Sequence, residues 1–265
     1  MTNNPAPDSG ARLLSKVPQA TFVFWIVKIC ATTVGETGGD ALSMTLKLGY
    51  AVGTLIFLGF FAVTLAAQVG AKRFHPLIYW LVVVATTTVG TTTSDYLDRT
   101  LGLGYVISSI FLLAGVIAVL LVWRLTTGAI VSDKVVSRHD EVFYWLTILA
   151  SNTLGTALGD FTATTTGLGF ETGALIFAGL LAVVAAGHYW TRISQAILFW
   201  AAYVLTRPLG ATLGDVLTKP HTQGGLALGR FVSTFAIAAI MVVIVFATSR
   251  GTPWGRRRVA APGHA

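Results

Sequence analysis

The sequence is short of charge. Only 11% of its 265 residues are Asp, Glu, Lys or Arg, against 54% hydrophobic residues and a mean hydropathy of +0.73. A soluble domain carries about 25% charged residues, so a soluble globular protein is excluded and an integral membrane protein is indicated. Cysteine is nearly absent. Cys30 stands alone, which rules out an intrachain disulfide or a thiolate metal cluster; it reads as a small buried hydrophobe of a helix. Histidine is scarce too, and no His/Cys set has zinc-ligand spacing. Neither an HExxH motif nor a Ser/His/Asp set points to an enzyme. The net charge of +7 comes without a Lys/Arg cluster interleaved with aromatics, so nucleic acid is not expected as a partner. The polar first residues, with Pro5, Pro7, Arg12 and Lys16, lack the short apolar core and small-residue cleavage site of a signal peptide.

What the chain has in plenty is long apolar stretches. Eight are expected, at about 20–38, 48–69, 76–93, 103–123, 142–158, 168–188, 194–213 and 226–248. Each approaches the roughly 20 residues that cross a bilayer as a helix. The implied organisation is a polar tail over 1–19, an eight-helix membrane domain over 20–248 and a basic tail over 249–265. The fold class expected is therefore an all-α membrane protein.

The stretches come in pairs because the chain repeats itself. Gly35, Gly90, Gly155 and Gly210 each open a segment of glycine, four mostly small or hydroxylic residues, and an aspartate: Asp40, Asp95, Asp160 and Asp215. With the glycine as position zero, position −10 is always tryptophan (Trp25, Trp80, Trp145, Trp200) and position −11 always aromatic (Phe24, Tyr79, Tyr144, Phe199). Position +14 is glycine each time (Gly49, Gly104, Gly169, Gly224). The repeats span about 20–70, 76–124, 142–188 and 194–248. Each has an even number of crossings, so all four point the same way, related by a pseudo-symmetry axis along the membrane normal.

Charge orients them. Twelve Lys/Arg (Arg12, Lys16, Lys72, Arg73, Arg124, Lys134, Arg138, Arg192, Arg250, Arg256, Arg257 and Arg258) lie in the tails and between repeats. The turns within repeats hold three: Lys47, Arg99 and Lys219. The positive-inside bias then sets both termini in the cytoplasm, with the protein in the cell inner (plasma) membrane. The tryptophans would anchor at the inner interface. The aspartates, fifteen residues on and about 22 Å away along a helix, would lie toward the outer side.

Four tandem two-helix units, each with this tryptophan and glycine–aspartate element, resemble a bacterial membrane-protein family of four-repeat domains of unknown function over about residues 22–248. The glycine–aspartate element, with Glu36 ahead of Asp40 in the first copy, is also similar to the Glu-x-Gly-Asp signature of cation/proton exchangers that move calcium or manganese. That second resemblance implies a transported cation. The other copies carry Thr91, Thr156 and Ala211 where the first has Glu36.

The residue types themselves suit a hard divalent cation, which wants oxygen ligands. Asp40, Asp95, Asp160, Asp215 and Glu36 offer carboxylates. Thr33, Thr37, Thr88, Thr92, Thr153, Thr156 and Thr212 offer hydroxyls, and Asn152 an amide. Gly35, Gly90, Gly155 and Gly210 would loosen the helix so that carbonyls turn toward an ion, as in broken transporter helices. Lys28 and Arg207 break the symmetry, standing where other repeats have uncharged residues. A buried charge in a membrane helix is usually paired and functional, so they are set against Glu36 or the aspartates, with snorkelling of Lys28 to the inner interface as the alternative.

The function expected is transport of a cation such as manganese or magnesium, with proton exchange open. The cation and membrane lipids are the partners, no resident cofactor is implied, and assembly into a homo-oligomer stays open. The rival readings are a structural or signalling membrane protein whose aspartates are helix caps and salt-bridge partners, and a small-molecule carrier using the aromatic pairs.

Overall fold

A computed structural model describes residues 18, 20–71, 74–128, 130 and 138–251. Most of the two expected tails lies outside the described residues. Among these residues eight long helices follow one another: α1 (Phe22–Asp40), α2 (Gly49–Gly70), α3 (Pro76–Asp95), α4 (Gly104–Thr127), α5 (Arg138–Asp160), α6 (Gly169–Trp190), α7 (Gln195–Thr218) and α8 (Arg230–Gly251). Local chemistry starts several of them. The Thr21 hydroxyl accepts from the backbone N–H of Phe24 at the start of α1, and Pro76 opens α3 where its missing N–H costs nothing.

The odd helices close a ring. α1 packs on α3, α3 on α5, α5 on α7, and α7 back on α1. All four run the same way, because equivalent repeat positions meet along their whole length. The even helices form an outer layer, and each packs chiefly on the ring helix of the following repeat: α2 on α3, α4 on α5, α6 on α7, and α8 on α1. The sequence unit is thus a hairpin, but the packing unit is a hairpin's second helix and its successor's first.

Composition follows the layers. Outer helices turn Leu55, Val63, Ile107, Leu175, Val183 and Val232 outward, as a lipid solvent requires. Ring helices bury polar residues instead, Thr32, Thr86, Thr87, Thr156 and Thr206 among them. Among the described residues six helices are long and apolar enough to cross a membrane: α2, α3 with the turn after it, α4, α6, α7 and α8. This is a multi-pass membrane protein. α1 and α5 fall short of that apolarity, because their ring positions hide Lys28, Glu36 and Asp160 from lipid.

The repeats turn round in two ways. In the first three, the aspartate is followed directly by one π-helical turn (Ala41–Thr45, Tyr96–Thr100, Phe161–Thr165). The position +14 glycine then adopts a left-handed backbone, φ +77, +73 and +78 at Gly49, Gly104 and Gly169, which a side chain disfavours. No atom lies within 4 Å of where a Cβ would stand on these three; the backbone, rather than helix packing, calls for glycine there.

Candidate functional site along the ring axis

The ring interior is a stack of layers, one repeat position each. The first holds the aromatics. Position −11 of each ring helix meets position −10 of a neighbour: Phe24 with Trp80 at 5.5 Å, Tyr79 with Trp145 at 5.6 Å, Tyr144 with Trp200 at 5.8 Å, and Phe199 with Trp25 at 5.6 Å between ring centroids. Tyr79 and Tyr144 also share a 2.8 Å hydroxyl–hydroxyl hydrogen bond. Trp80, Trp145 and Trp200 are buried. They therefore close one end of the bundle, and the interfacial anchoring expected of them is corrected: interlocking rings gain more area against each other than against headgroups.

The next layer, position −7, is Lys28, Val83, Ile148 and Tyr203, all fully buried. The Lys28 ammonium sits 4.2 Å from the Tyr203 ring centre and donates to Asn152 Oδ1 at 3.5 Å. It does not snorkel.

Position −3 carries Thr32, Thr87, Asn152 and Arg207, and here the motif glycines act. A Cβ on Gly35 would fall 2.1 Å from Thr87 Oγ1, and one on Gly210 2.0 Å from Thr32 Oγ1. One on Gly90 would meet the Asn152 carbonyl carbon at 2.9 Å, and one on Gly155 would meet Arg207 Cγ at 2.5 Å. Each glycine is the groove that receives the next ring helix. The threonines stitch the same seams: Thr87 donates to the Ala31 carbonyl and Thr32 to the Thr206 carbonyl, both at 3.2 Å. All four helices continue unbroken through these glycines to the aspartate. The expected loosening at Gly35, Gly90, Gly155 and Gly210 is thus corrected; departure from α geometry begins one residue after the aspartate in the first three repeats.

Position +1 is Glu36, Thr91, Thr156 and Ala211. Arg207, fully buried, reaches into this layer, where its Nη2 donates to Glu36 Oε2 at 3.1 Å, to Thr156 Oγ1 at 2.6 Å and to Thr91 Oγ1. Thr91 in turn donates to Glu36 Oε2 at 3.2 Å. One guanidinium from the fourth repeat so ties together residues of the other three.

The last layer is the aspartates, each no more than 2% exposed. They are held in two couples. Arg99 stands between Asp95 (2.8 Å) and Asp160 (3.3 Å). Lys219 stands between Asp215 (3.0 Å) and Asp40 (3.4 Å), with Arg230 also 3.4 Å from Asp40. Arg99 and Lys219 occupy the same repeat position, four residues past their own aspartate, where the first and third repeats have Met44 and Thr164. Each clamp thus serves its own repeat and a neighbour. Lys219 lies just beyond α7; burial works against its ammonium, but Asp215 and Asp40 outweigh this and hold its pKa above the ordinary lysine value.

The pairing of Arg207 with Glu36 agrees with expectation; Lys28 joins an amide and an aromatic face instead. Of the hydroxyls, Thr156 reaches the charged network. Thr33, Thr37, Thr88, Thr92, Thr153 and Thr212 donate to carbonyls four residues back on their own helices, at 2.9–3.1 Å. They lie one position off the axial face and do not form an inward ligand shell. Among the described residues no group of three or more His, Cys, Asp or Glu is arranged to hold a metal ion. From the sequence Arg99 and Lys219 read only as loop charges, and Thr91 does not stand out as a ligand. The i, i+4 spacing from Asp95 and Asp215 was the available signal.

The fold and this axis define a class: a multi-pass helical membrane protein built as a closed ring of four parallel repeats around a charged interior. Four copies of a repeat of unknown function (DUF347) match residues 23–74, 78–129, 143–194 and 198–251. The chain belongs to that family. Comparison with curated proteins and with solved structures finds no match.

Proposed function

We propose that the protein is a membrane transporter that passes a small cation along the ring axis, the four aspartates forming its acidic mouth. The observation that carries this reading is that all four equivalent positions keep a buried carboxylate, each ion-paired with a side-chain cation that can leave. Arg99 hangs on a π-helical turn and Lys219 on the segment after α7, so either can withdraw without breaking the ring. Withdrawal of Arg99 would leave Asp95 with Asp160, and withdrawal of Lys219 and Arg230 would leave Asp40 with Asp215, oxygen ligands suited to manganese or magnesium. Protonation of a carboxylate would release the clamp in the same way, which accommodates proton exchange. In this reading α1 and α5 cross the membrane beside α3 and α7, giving eight crossings. The Lys/Arg between repeats keep both termini in the cytoplasm of an inner-membrane protein.

The test is metal uptake by proteoliposomes holding an indicator dye, with wild type and Asp160→Asn side by side. Wild type should move manganese or magnesium, and Asp160→Asn should lose most of that flux. No flux by wild type under a pH gradient or without one, for any of manganese, magnesium and calcium, would sink the proposal. A second reading, a structural protein whose aspartates are ion-pair partners, is favoured by the pairing of every one of them with a cation; it expects Asp160→Asn to lower thermal stability with no flux in either protein.

A further inference from the structure

Carboxylates and cations balance along the axis: Glu36, Asp40, Asp95, Asp160 and Asp215 stand against Lys28, Arg99, Arg207, Lys219 and Arg230. Asp98 lies outside this balance. It is 7% exposed and makes no ion pair among the described residues. Its neighbours are hydroxyls. Ser94 donates to Asp98 Oδ2 at 3.2 Å, and the Ser108 hydroxyl reaches the same carboxyl. Ser108 has a single hydrogen to give, and the Gly104 and Tyr105 carbonyls already lie 3.1 and 3.3 Å from its oxygen. Asp98 Oδ1 is buried and receives no hydrogen bond.

This nest belongs to the second repeat alone. Counted from the motif glycine, position +8 is Asp98 here and Ser43, Ala163 and Thr218 elsewhere. Position +4 is Ser94 here and glycine elsewhere. Position +18 is Ser108 here and Gly53 and Gly173 in the other two repeats that turn on a π-helix. Positions +8 and +18 face each other in those hairpins too. A Cβ on Gly53 would stand 2.6 Å from Ser43 Oγ, and one on Gly173 4.0 Å from Ala163 Cβ. Three departures from the repeat thus converge on one carboxyl.

We propose that this nest binds a proton, Asp98 being held as the neutral acid while Arg99 grips Asp95 and Asp160. A buried carboxylate with no cation beside it is strongly unfavourable and neutralises instead, and a proton is the one cation that needs no cavity. It belongs on Oδ1, the oxygen that receives no hydrogen bond. There it supplies the donor that the Ser108 oxygen can accept, while Ser94 goes on donating to Oδ2. The charged and titratable groups around the nest are Arg99 on its own turn, Asp95 one turn back, Tyr105 on α4 and Asp160 at the end of α5; Tyr50, at the start of α2, faces Arg99.

Within the transport reading, on which this step rests, the proton is what a divalent cation exchanges for. Asp95, Asp160, Arg99 and the neutral Asp98 together carry one negative charge. With a divalent cation between Asp95 and Asp160, Arg99 turned to an ionised Asp98 and the proton released to solvent, the same group carries none. Asp98 touches no transported ion in this scheme; it is a positioning residue that gives the Arg99 clamp a second partner.

Infrared spectra of the purified full-length protein in detergent, without metal, read the proton directly. Wild type at neutral pH should show the carbonyl stretch of a protonated carboxylic acid, fading as the pH is raised, and Asp98→Asn should lack it. Ser94→Ala keeps the acid but removes a hydrogen bond to it and should move the band, which keeps the question decidable if Asp98→Asn does not fold. Manganese added to weakly buffered protein should, by linkage, release about one proton per ion bound by wild type and none from Asp98→Asn. A missing band, a band retained by Asp98→Asn or unmoved by Ser94→Ala, or manganese bound without proton release would each overturn the proposal. A band that behaves as expected in a protein that neither binds nor moves metal would sink the transport reading and leave the proton site standing.

Discussion

Replacing Gly210 by alanine tests the packing principle of the ring. The new Cβ would stand 2.0 Å from Thr32 Oγ1, 2.5 Å from Thr32 Cβ and 3.0 Å from the Thr32 carbonyl carbon, where carbon atoms prefer roughly 3.5–4.0 Å. Rotating the hydroxyl away cannot relieve this, because the Cβ and backbone remain and the hydroxyl is engaged with the Ile29 and Thr206 carbonyls. The α7–α1 seam must open instead. Overpacking of this kind costs about 1–3 kcal/mol, at times more. The same substitution at Gly59, Gly115 or Gly179, mid-helix in the outer layer with no atom within 4 Å of the new Cβ, should gain roughly 0.5–1 kcal/mol from helix propensity. At about 2–4 °C per kcal/mol for a chain near this size, Gly210→Ala should lower the unfolding midpoint by roughly 2–12 °C. The outer controls should hold or raise it. Scanning fluorimetry in detergent at one scan rate reads both. Thr32→Gly in the Gly210→Ala background should recover part of the loss, less the hydrogen bond given up. An unchanged midpoint for Gly210→Ala with reduced cation flux would refute the packing argument and restore the glycines as flexible joints.

Arg207→Met should cost about 3–5 kcal/mol, because Glu36 is left buried and unpaired, while Arg207→Met with Glu36→Met should return near wild type; midpoints of the single and double variants check this. Trp145→Ala, in the buried aromatic layer, should cost about 3–5 kcal/mol. Trp190→Ala, at a side chain 85% exposed, should stay within about 0.5 kcal/mol, and equal losses would argue against an aromatic plug.

The sequence was legible where repetition made one position speak for four. The tryptophan, the aspartate and the motif glycine recur at constant offsets, and apolar length alone exposes most of the membrane segments. It was misleading where a residue type serves two purposes. A tryptophan suits both a membrane interface and a dense core, and both roles show the same letter at the same depth. A glycine suits both a loosened helix and a close crossing; only the position of Thr32 against Gly210, 178 residues away in the chain, tells them apart. Arg99 and Lys219 read as topology charges in the sequence because their second partners, Asp160 and Asp40, come from other repeats.

By itself the sequence determined the lipid-adapted composition, the four-fold repeat and the one ionisable position common to all copies, because hydrophobicity and spacing are properties of a linear string. Only the tertiary structure decided which helices form the ring and which the outer layer, that each outer helix serves the next repeat, and that the aspartates are held in couples by Arg99 and Lys219. Those outcomes depend on the closure of the ring, where α7 meets α1. A contact between the last repeat and the first is set by the summed fit of all four seams, and no local stretch of the chain encodes that sum.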